Sequence, residues 1–187
     1  MEYSNEKGTR IYLFKIKPCS QAEMSYFAKS KVLSLAAKEL NVSPESIELK
    51  KHKHGKPYIY GADNWHFNIS HTDGMVGIAI SDEPVGIDIE RIKDADLRIA
   101  KRFFTVSENY YIESAECKDK RFFEIWTKKE AYLKYTGKGL SLSLKAFDVF
   151  SLPCAVESFE KDGYIISVCC SKHNKMMLIE CYNLTQQ

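Results

Sequence analysis

The chain has almost no charge excess. Its 187 residues carry 27 Lys and Arg against 25 Asp and Glu, a formal net charge of +2. A surface that tracks a duplex needs a clear basic surplus, so nucleic acid is not an expected partner and any electrostatic function has to be local. No amino-terminal apolar run looks like a signal peptide, and a membrane is not an expected partner either. The six cysteines, Cys19, Cys117, Cys154, Cys169, Cys170 and Cys181, include no C-x-x-C pair and complete no familiar zinc spacing with histidine. A reducing cytoplasm is therefore the expected compartment, with Cys169 and Cys170 read as small apolar residues in a strand. No linker rich in Gly, Ser or Pro interrupts the chain, so its length accommodates one sizeable core or two small, tightly joined halves.

What is present is globular: 44% apolar and 28% charged residues exclude a disordered tail. Arg10 to Lys17 alternates like a strand and ends at Pro18. Ser20 and Glu23 form a capping box ahead of a helix whose apolar face holds Tyr26, Phe27, Leu33, Leu35, Ala36, Ala37 and Leu40. Ser43-Pro44-Glu45 reads as a short helical turn. From Trp65 to Glu90 the pattern is β, with turns at Asp73-Gly74 and Asp82-Glu83-Pro84. A second capping box, Thr105 with Glu108, opens another helix, and Phe122 to Tyr135 makes a third that stops at Gly137. Strands are expected over Phe147–Leu152, Ile165–Cys170 and Met176–Tyr182. The order strand, helices, strands thus occurs before about residue 84 and again after it. The expectation is an α+β fold of two similar small halves, 1–84 and 85–187, packed as a pseudo-dimer with the active site at their interface.

Three segments carry chemistry. In Val85-Gly86-Ile87-Asp88-Ile89-Glu90 the period of two sets Asp88 and Glu90 on one face, where their repulsion calls for a cation or positive side chains between them; the solvent face of an edge strand gives the same pattern. In Trp126-Thr127-Lys128-Lys129-Glu130-Ala131-Tyr132-Leu133-Lys134, Glu130 falls within the apolar stripe and Lys134 lies one turn on, which is either a functional carboxylate or an ordinary helix ion pair. In His66-Phe67-Asn68-Ile69-Ser70-His71 a hydroxyl, an amide and an imidazole gather, a set suited to phosphate; His71 alone would be a turn residue. A basic run from Lys50 to Lys56 is either a patch or a solvated hairpin.

Together these segments resemble the phosphopantetheinyl transferases, in particular their longer, pseudo-dimeric type. The resemblance rests on Val85 to Asp88 with Glu90 and on Trp126 to Lys134, joined by Phe67 to His71, Gly55-Lys56-Pro57, Ala100 to Phe104 and Gly137 to Ser141. It implies transfer of 4′-phosphopantetheine from coenzyme A to a serine of an acyl, peptidyl or polyketide carrier protein by a monomer. Asp88, Glu90 and Glu130 would hold Mg²⁺, for which Mn²⁺ can substitute. Glu130 or a water would activate the serine and Lys134 would stabilise or protonate the departing 3′,5′-ADP. Gly86 would keep the carboxylate face open to the ligand. Coenzyme A would be bound by Lys56, Pro57, Ser70 and His71, by Lys129 at the pyrophosphate, and by Lys29 or Lys31 of the first helix, where the family's basic segment is shortened. Ile99, Lys101, Arg102 and Phe103 suit an acidic carrier helix, unless the aromatics only fill the core. A magnesium-dependent phosphohydrolase and a non-catalytic coenzyme A-binding module are the alternatives from other classes.

Overall fold

The computed structural model describes residues 8–183. β1 (Thr9–Lys15) leads into α1 (Gln21–Leu40), whose first turn closes by a reciprocal box: Ser20 Oγ accepts from Glu23 N at 3.3 Å, and the Glu23 carboxylate accepts from Ser20 N at 2.8 Å. Met24, Ala28, Val32 and Ala36 recur every four residues and form the buried stripe, which leaves Tyr26, half a turn away, exposed. Asn41 ends the helix in the left-handed region at φ 54°. A 3-10 turn at Pro44–Ser46 precedes the hairpin of β2 (Leu49–Lys51) and β3 (Pro57–Ile59). Then come β4 (His66–Thr72), β5 (Met75–Ser81) and β6 (Gly86–Arg91), in the order the alternation predicts.

The second half holds α2 (Leu97–Phe103), α3 (Val106–Glu113), α4 (Lys118–Thr136), β7 (Ala155–Lys161), β8 (Tyr164–Cys170) and β9 (Met176–Asn183). Thr105 and Glu108 form the expected box and Gly137, at φ 66°, ends α4. The strand expected over Phe147–Leu152 is not formed. Its main chain is claimed by α3 and by itself: Val149 N donates to Glu108 Oε1 at 2.9 Å and Phe150 N to Asp148 Oδ1 at 2.8 Å, so pairing starts only at Ala155.

Beside the β2-β3 hairpin, two larger sheets result among the described residues, ordered β4-β5-β1-β9 and β6-β8-β7. They pack face to face, each covered on its outer side by a helix. On β1 the period of two sends Tyr12 and Phe14 toward α1, and Ile11 and Leu13 toward Val85, Ile87, Ile89, Ile166 and Val168 of the second sheet. Gly77 makes room for this contact, since a Cβ there would lie 2.3 Å from Ile89 Cδ1. β9 belongs by sequence to residues 85–187, yet it pairs in parallel with β1 and so completes the first sheet.

On the outer face of β6, Gly86 lies beneath α4: a Cβ would sit 2.0 Å from Ala131 O and 2.4 Å from Tyr135 N. The expectation that Gly86 keeps the face open to a ligand is thereby corrected. Its missing side chain lets helix and strand touch, which fixes the height of α4 above Asp88 and Glu90.

Candidate active site

The site forms along the free edge of β6, which pairs with β8 on one side only. Side chains of the first half occupy the other side. Ile87 N donates to Asn68 Oδ1 at 2.9 Å, Ile89 N donates to Ser70 Oγ at 3.2 Å, and Val85 O accepts from Lys56 Nζ at 2.8 Å. Asp88, between the two bonded amides, is only 5% exposed. Its Oδ1 accepts from Ser70 Oγ at 2.9 Å and from Lys134 Nζ at 2.7 Å, and Lys134 also reaches Ser70 Oγ at 3.0 Å. The ammonium that could have met Glu130 one turn earlier therefore crosses to β6 and joins the two elements.

The carboxylates are unevenly served. Asp88 Oδ2 is buried with no hydrogen-bond partner among the described residues. Burial, and then the Asp88 charge, raise the pKa of Glu130 above the ordinary glutamate value. Glu90 is raised by the same causes in the same order, against a partial opposing effect of Lys93, Lys134 and a hydrogen bond from the Trp126 side chain. An orphaned buried oxygen beside two carboxylates that resist ionisation is a donor set short of positive charge. All three donors are hard oxygens of the type that suits Mg²⁺ or Mn²⁺. Among the described residues no three His, Cys, Asp or Glu side chains already stand as a finished cage, and Lys134 provides the local counter-charge to Asp88.

Two adjoining cavities open beside this group and share Asn68 and Lys134. One, of about 340 Å³, runs between the carboxylates Asp88 and Glu90 and a wall of Ser25, Lys29, Pro57, Ser70 and His71. The other, of about 240 Å³, is lined by Glu130, Leu133, His54, Lys56, Gly137 and Gly139. His71 Nε2 lies 3.1 Å from Ser25 Oγ, and burial followed by the Lys134 charge holds its pKa below the usual histidine value. Ser25 escaped the sequence reading. The available signal was a polar pair, Ser25 and Lys29, one turn apart on an otherwise apolar flank.

Asp88, Glu90, Lys134, Pro57, Ser70 and His71 line one cavity, and Glu130 lines the adjoining one, which shares Lys134. Two expected ligands of coenzyme A stand elsewhere, and a third, Lys56, is otherwise engaged. Lys129 is fully buried: its Nζ pairs with Glu108 at 2.8 Å and donates to Leu144 O at 2.7 Å and Phe147 O at 2.9 Å, so it holds the core of the second half and lines neither of these two cavities. Lys31 rests over the rings of Phe14 and Phe27, at 5.8 and 5.4 Å from their centroids. Lys29, two residues and some 200° away around α1, is the one that lines the cavity. Lys56 borders a cavity, but its ammonium is engaged by Val85 O and by Tyr135 O at 3.3 Å. On α2, Lys101, Arg102 and Phe103 are exposed, Ile99 is half-buried against the core, and Phe104 is the aromatic that fills it.

The model of the 4′-phosphopantetheinyl transferase superfamily matches residues 84–179. The chain belongs to this superfamily. It is 44% identical over 110 residues to the 4′-phosphopantetheinyl transferase gsp of Aneurinibacillus migulanus, covering 58% of this chain and 46% of that protein. It is 37% identical over 145 residues to psf-1 of Bacillus pumilus, covering 68% and 62%, and 36% identical over 156 residues to Sfp of Bacillus subtilis, covering 74% and 69%. The chain therefore spans about half to two thirds of the length of these relatives. Asp88, Glu90, Glu130 and Lys134 all lie inside the superfamily match. The wall of Ser25, Lys29, Ser70 and His71 precedes it.

Proposed function

We propose that the chain is an active 4′-phosphopantetheinyl transferase that moves the phosphopantetheine arm of coenzyme A to a serine of an apo acyl, peptidyl or polyketide carrier protein and releases 3′,5′-ADP. The observation that carries this reading is the pair Asp88 and Glu90 on one side of a cleft whose opposite wall offers Lys29, Ser25 and His71, with Glu130 in the adjoining cavity that shares Lys134. One side of the cleft needs cations and the other offers donors to anions, an arrangement suited to a diphosphate.

Asp88, Glu90 and Glu130 are the residues that would hold Mg²⁺ or Mn²⁺. Such an ion, when bound, neutralises diphosphate charge and polarises its oxygens. Glu130 takes the serine proton as the serine oxygen bonds to phosphorus and the diphosphate P–O bond breaks. Lys134, held by Asp88 and Ser70, places positive charge where the leaving phosphate accumulates negative charge. Lys29, Ser25 and His71 donate to the phosphates of coenzyme A, Lys29 replacing Lys31 and Lys129 in that role. Ile99, Lys101, Arg102 and Phe103 meet the carrier.

The test is intact mass spectrometry of apo carrier proteins incubated with the chain, coenzyme A and Mg²⁺. A carrier heavier by one phosphopantetheine arm, together with free 3′,5′-ADP, is expected, and Glu130→Gln should slow the reaction at least about a hundredfold. Coenzyme A cleaved with every carrier unchanged would make the protein a phosphohydrolase, and binding without cleavage a non-catalytic module.

A further inference from the structure

The free edge of β6 is satisfied in a way that assigns a role to Asn68. In an antiparallel edge strand the amides of alternate residues point away from the sheet and need a partner. At the start of β6 and along it these outward groups include Val85 O, Ile87 N and Ile89 N, and no strand pairs with them through its backbone. Lys56 Nζ, Asn68 Oδ1 and Ser70 Oγ take them instead, at 2.8, 2.9 and 3.2 Å. Asn68 and Ser70 are two residues apart on β4, as Ile87 and Ile89 are on β6, so the two strands run alongside in register and are joined through side chains. Asp88 lies between the two clamped amides. Ser70 Oγ holds the Asp88 carboxylate as well, through Oδ1, whereas Asn68 accepts from the amide of the preceding residue, Ile87. Asn68 is buried and lines both cavities, yet its Oδ1 is engaged by the strand.

We infer that Asn68 is a positioning residue: its side-chain amide stands in for a neighbouring strand on β6 and so fixes the direction in which Asp88 presents its unpartnered Oδ2 to the site. The inference rests on the reading of Asp88 as a ligand of the divalent cation. Without the Asn68 bond, Ile87 N is left buried and unpaired, and the strand turns to recover a partner. The carboxylate one residue further along turns with it.

The experiment titrates the whole chain with Mn²⁺ alone, reading free Mn²⁺ by electron paramagnetic resonance, and follows amide hydrogen exchange over residues 85–90. Asn68→Ala should weaken Mn²⁺ binding by about tenfold or more, in the range seen when partners that orient metal ligands are removed, and should speed exchange at Ile87. Asn68→Asp keeps the acceptor and should bind Mn²⁺ at least as well as the parent chain. Asn68→Ser, whose hydroxyl stops one bond short of the Ile87 amide, carries the same prediction with a smaller loss and serves if the alanine variant does not fold. Val149→Ala, in the core behind α3, is the control for lost stability alone and should leave Mn²⁺ affinity within about twofold. If Asp88→Ala abolishes Mn²⁺ binding while Asn68→Ala and Asn68→Ser bind like the control, the positioning role is overturned and the metal reading stands. If Asp88→Ala binds Mn²⁺ as the parent chain does, the metal reading itself falls and takes the inference with it.

Discussion

At the scale of single residues, Lys56 shows how far a motif can be read. Its place in Gly55-Lys56-Pro57, within a basic run, pointed to a phosphate ligand, but its ammonium bonds Val85 O and Tyr135 O and so ties the first half to β6 and α4. A phosphate would have to draw it away from two carbonyls. Nothing local in the sequence announces those acceptors, which lie 29 and 79 residues away. Burial, the larger effect, pushes the Lys56 pKa down from 10.5 to about 8, against a smaller opposing influence of Cys169. The sign of the linkage follows from that order. Below about pH 8 the lysine is charged in both folded and unfolded chains. Between there and 10.5 the unfolded chain alone keeps the proton, so stability from this residue grows with rising pH, is complete above 10.5, and is lost as pH falls through 8. Its full size is at most about 3 kcal/mol. In urea denaturation from about pH 7.5 to 10, the parent chain should gain on Lys56→Met as the pH rises. A stability difference that stays constant across that range would show that the ammonium is solvated and free to take a ligand.

At the scale of elements, the capping boxes at Ser20 and Thr105, the stop at Gly137 and the strand alternation from β4 to β6 were legible because each depends on neighbours within about four residues. α4 was legible as a helix but not in its facing. A single apolar stripe assumes that one side is buried, whereas no residue of α4 with described accessibility is fully exposed, since β6, β8 and α3 all pack on it. Lys129, expected at the pyrophosphate of coenzyme A, is therefore a core residue. Glu108, its partner, also accepts from Thr105 N and Val149 N, so the pair joins α3, α4 and the segment before β7. Lys129→Met should strip this buried carboxylate of its counter-charge and cost about 3–5 kcal/mol in urea denaturation, and adding Glu108→Gln should recover most of the loss. Where the single variant remains folded, its KM for coenzyme A should be unchanged. A raised KM at unchanged stability would return Lys129 to the site.

At the scale of the whole molecule, the sequence order indicated two joined α+β units, while the crossing of β9 into the first sheet was hidden because parallel pairing between residues some 165 apart leaves no local mark. That scale also decides how a large partner approaches. The cleft opens between the halves, and α2 and α3, which lie in the chain between β6 and α4, carry an exposed strip: Phe103 is 38% exposed, Val106 88% and Tyr110 75%, with Lys101 and Arg102 exposed beside them. Val106 and Tyr110 are four residues apart and so share one side of α3, giving an apolar ridge with a basic border. Phe104, buried beneath, answers the question the sequence left open, since only one of the two aromatics is core. A partner with an acidic, partly apolar helix would be steered by the two cations and then seated on the ridge. Steering by exposed charge fades over a Debye length of about 8 Å at physiological salt, whereas contacts inside the cleft are shielded from it. Raising salt should therefore raise KM for the carrier protein while affecting KM for coenzyme A less. Lys101→Glu with Arg102→Glu should reproduce the high-salt carrier KM at low salt, and Val106→Ser with Tyr110→Ser should raise it without removing its salt dependence. Both double variants change exposed side chains and should keep the parent circular dichroism spectrum. A carrier KM unmoved by either one would put the docking surface on another face of the molecule.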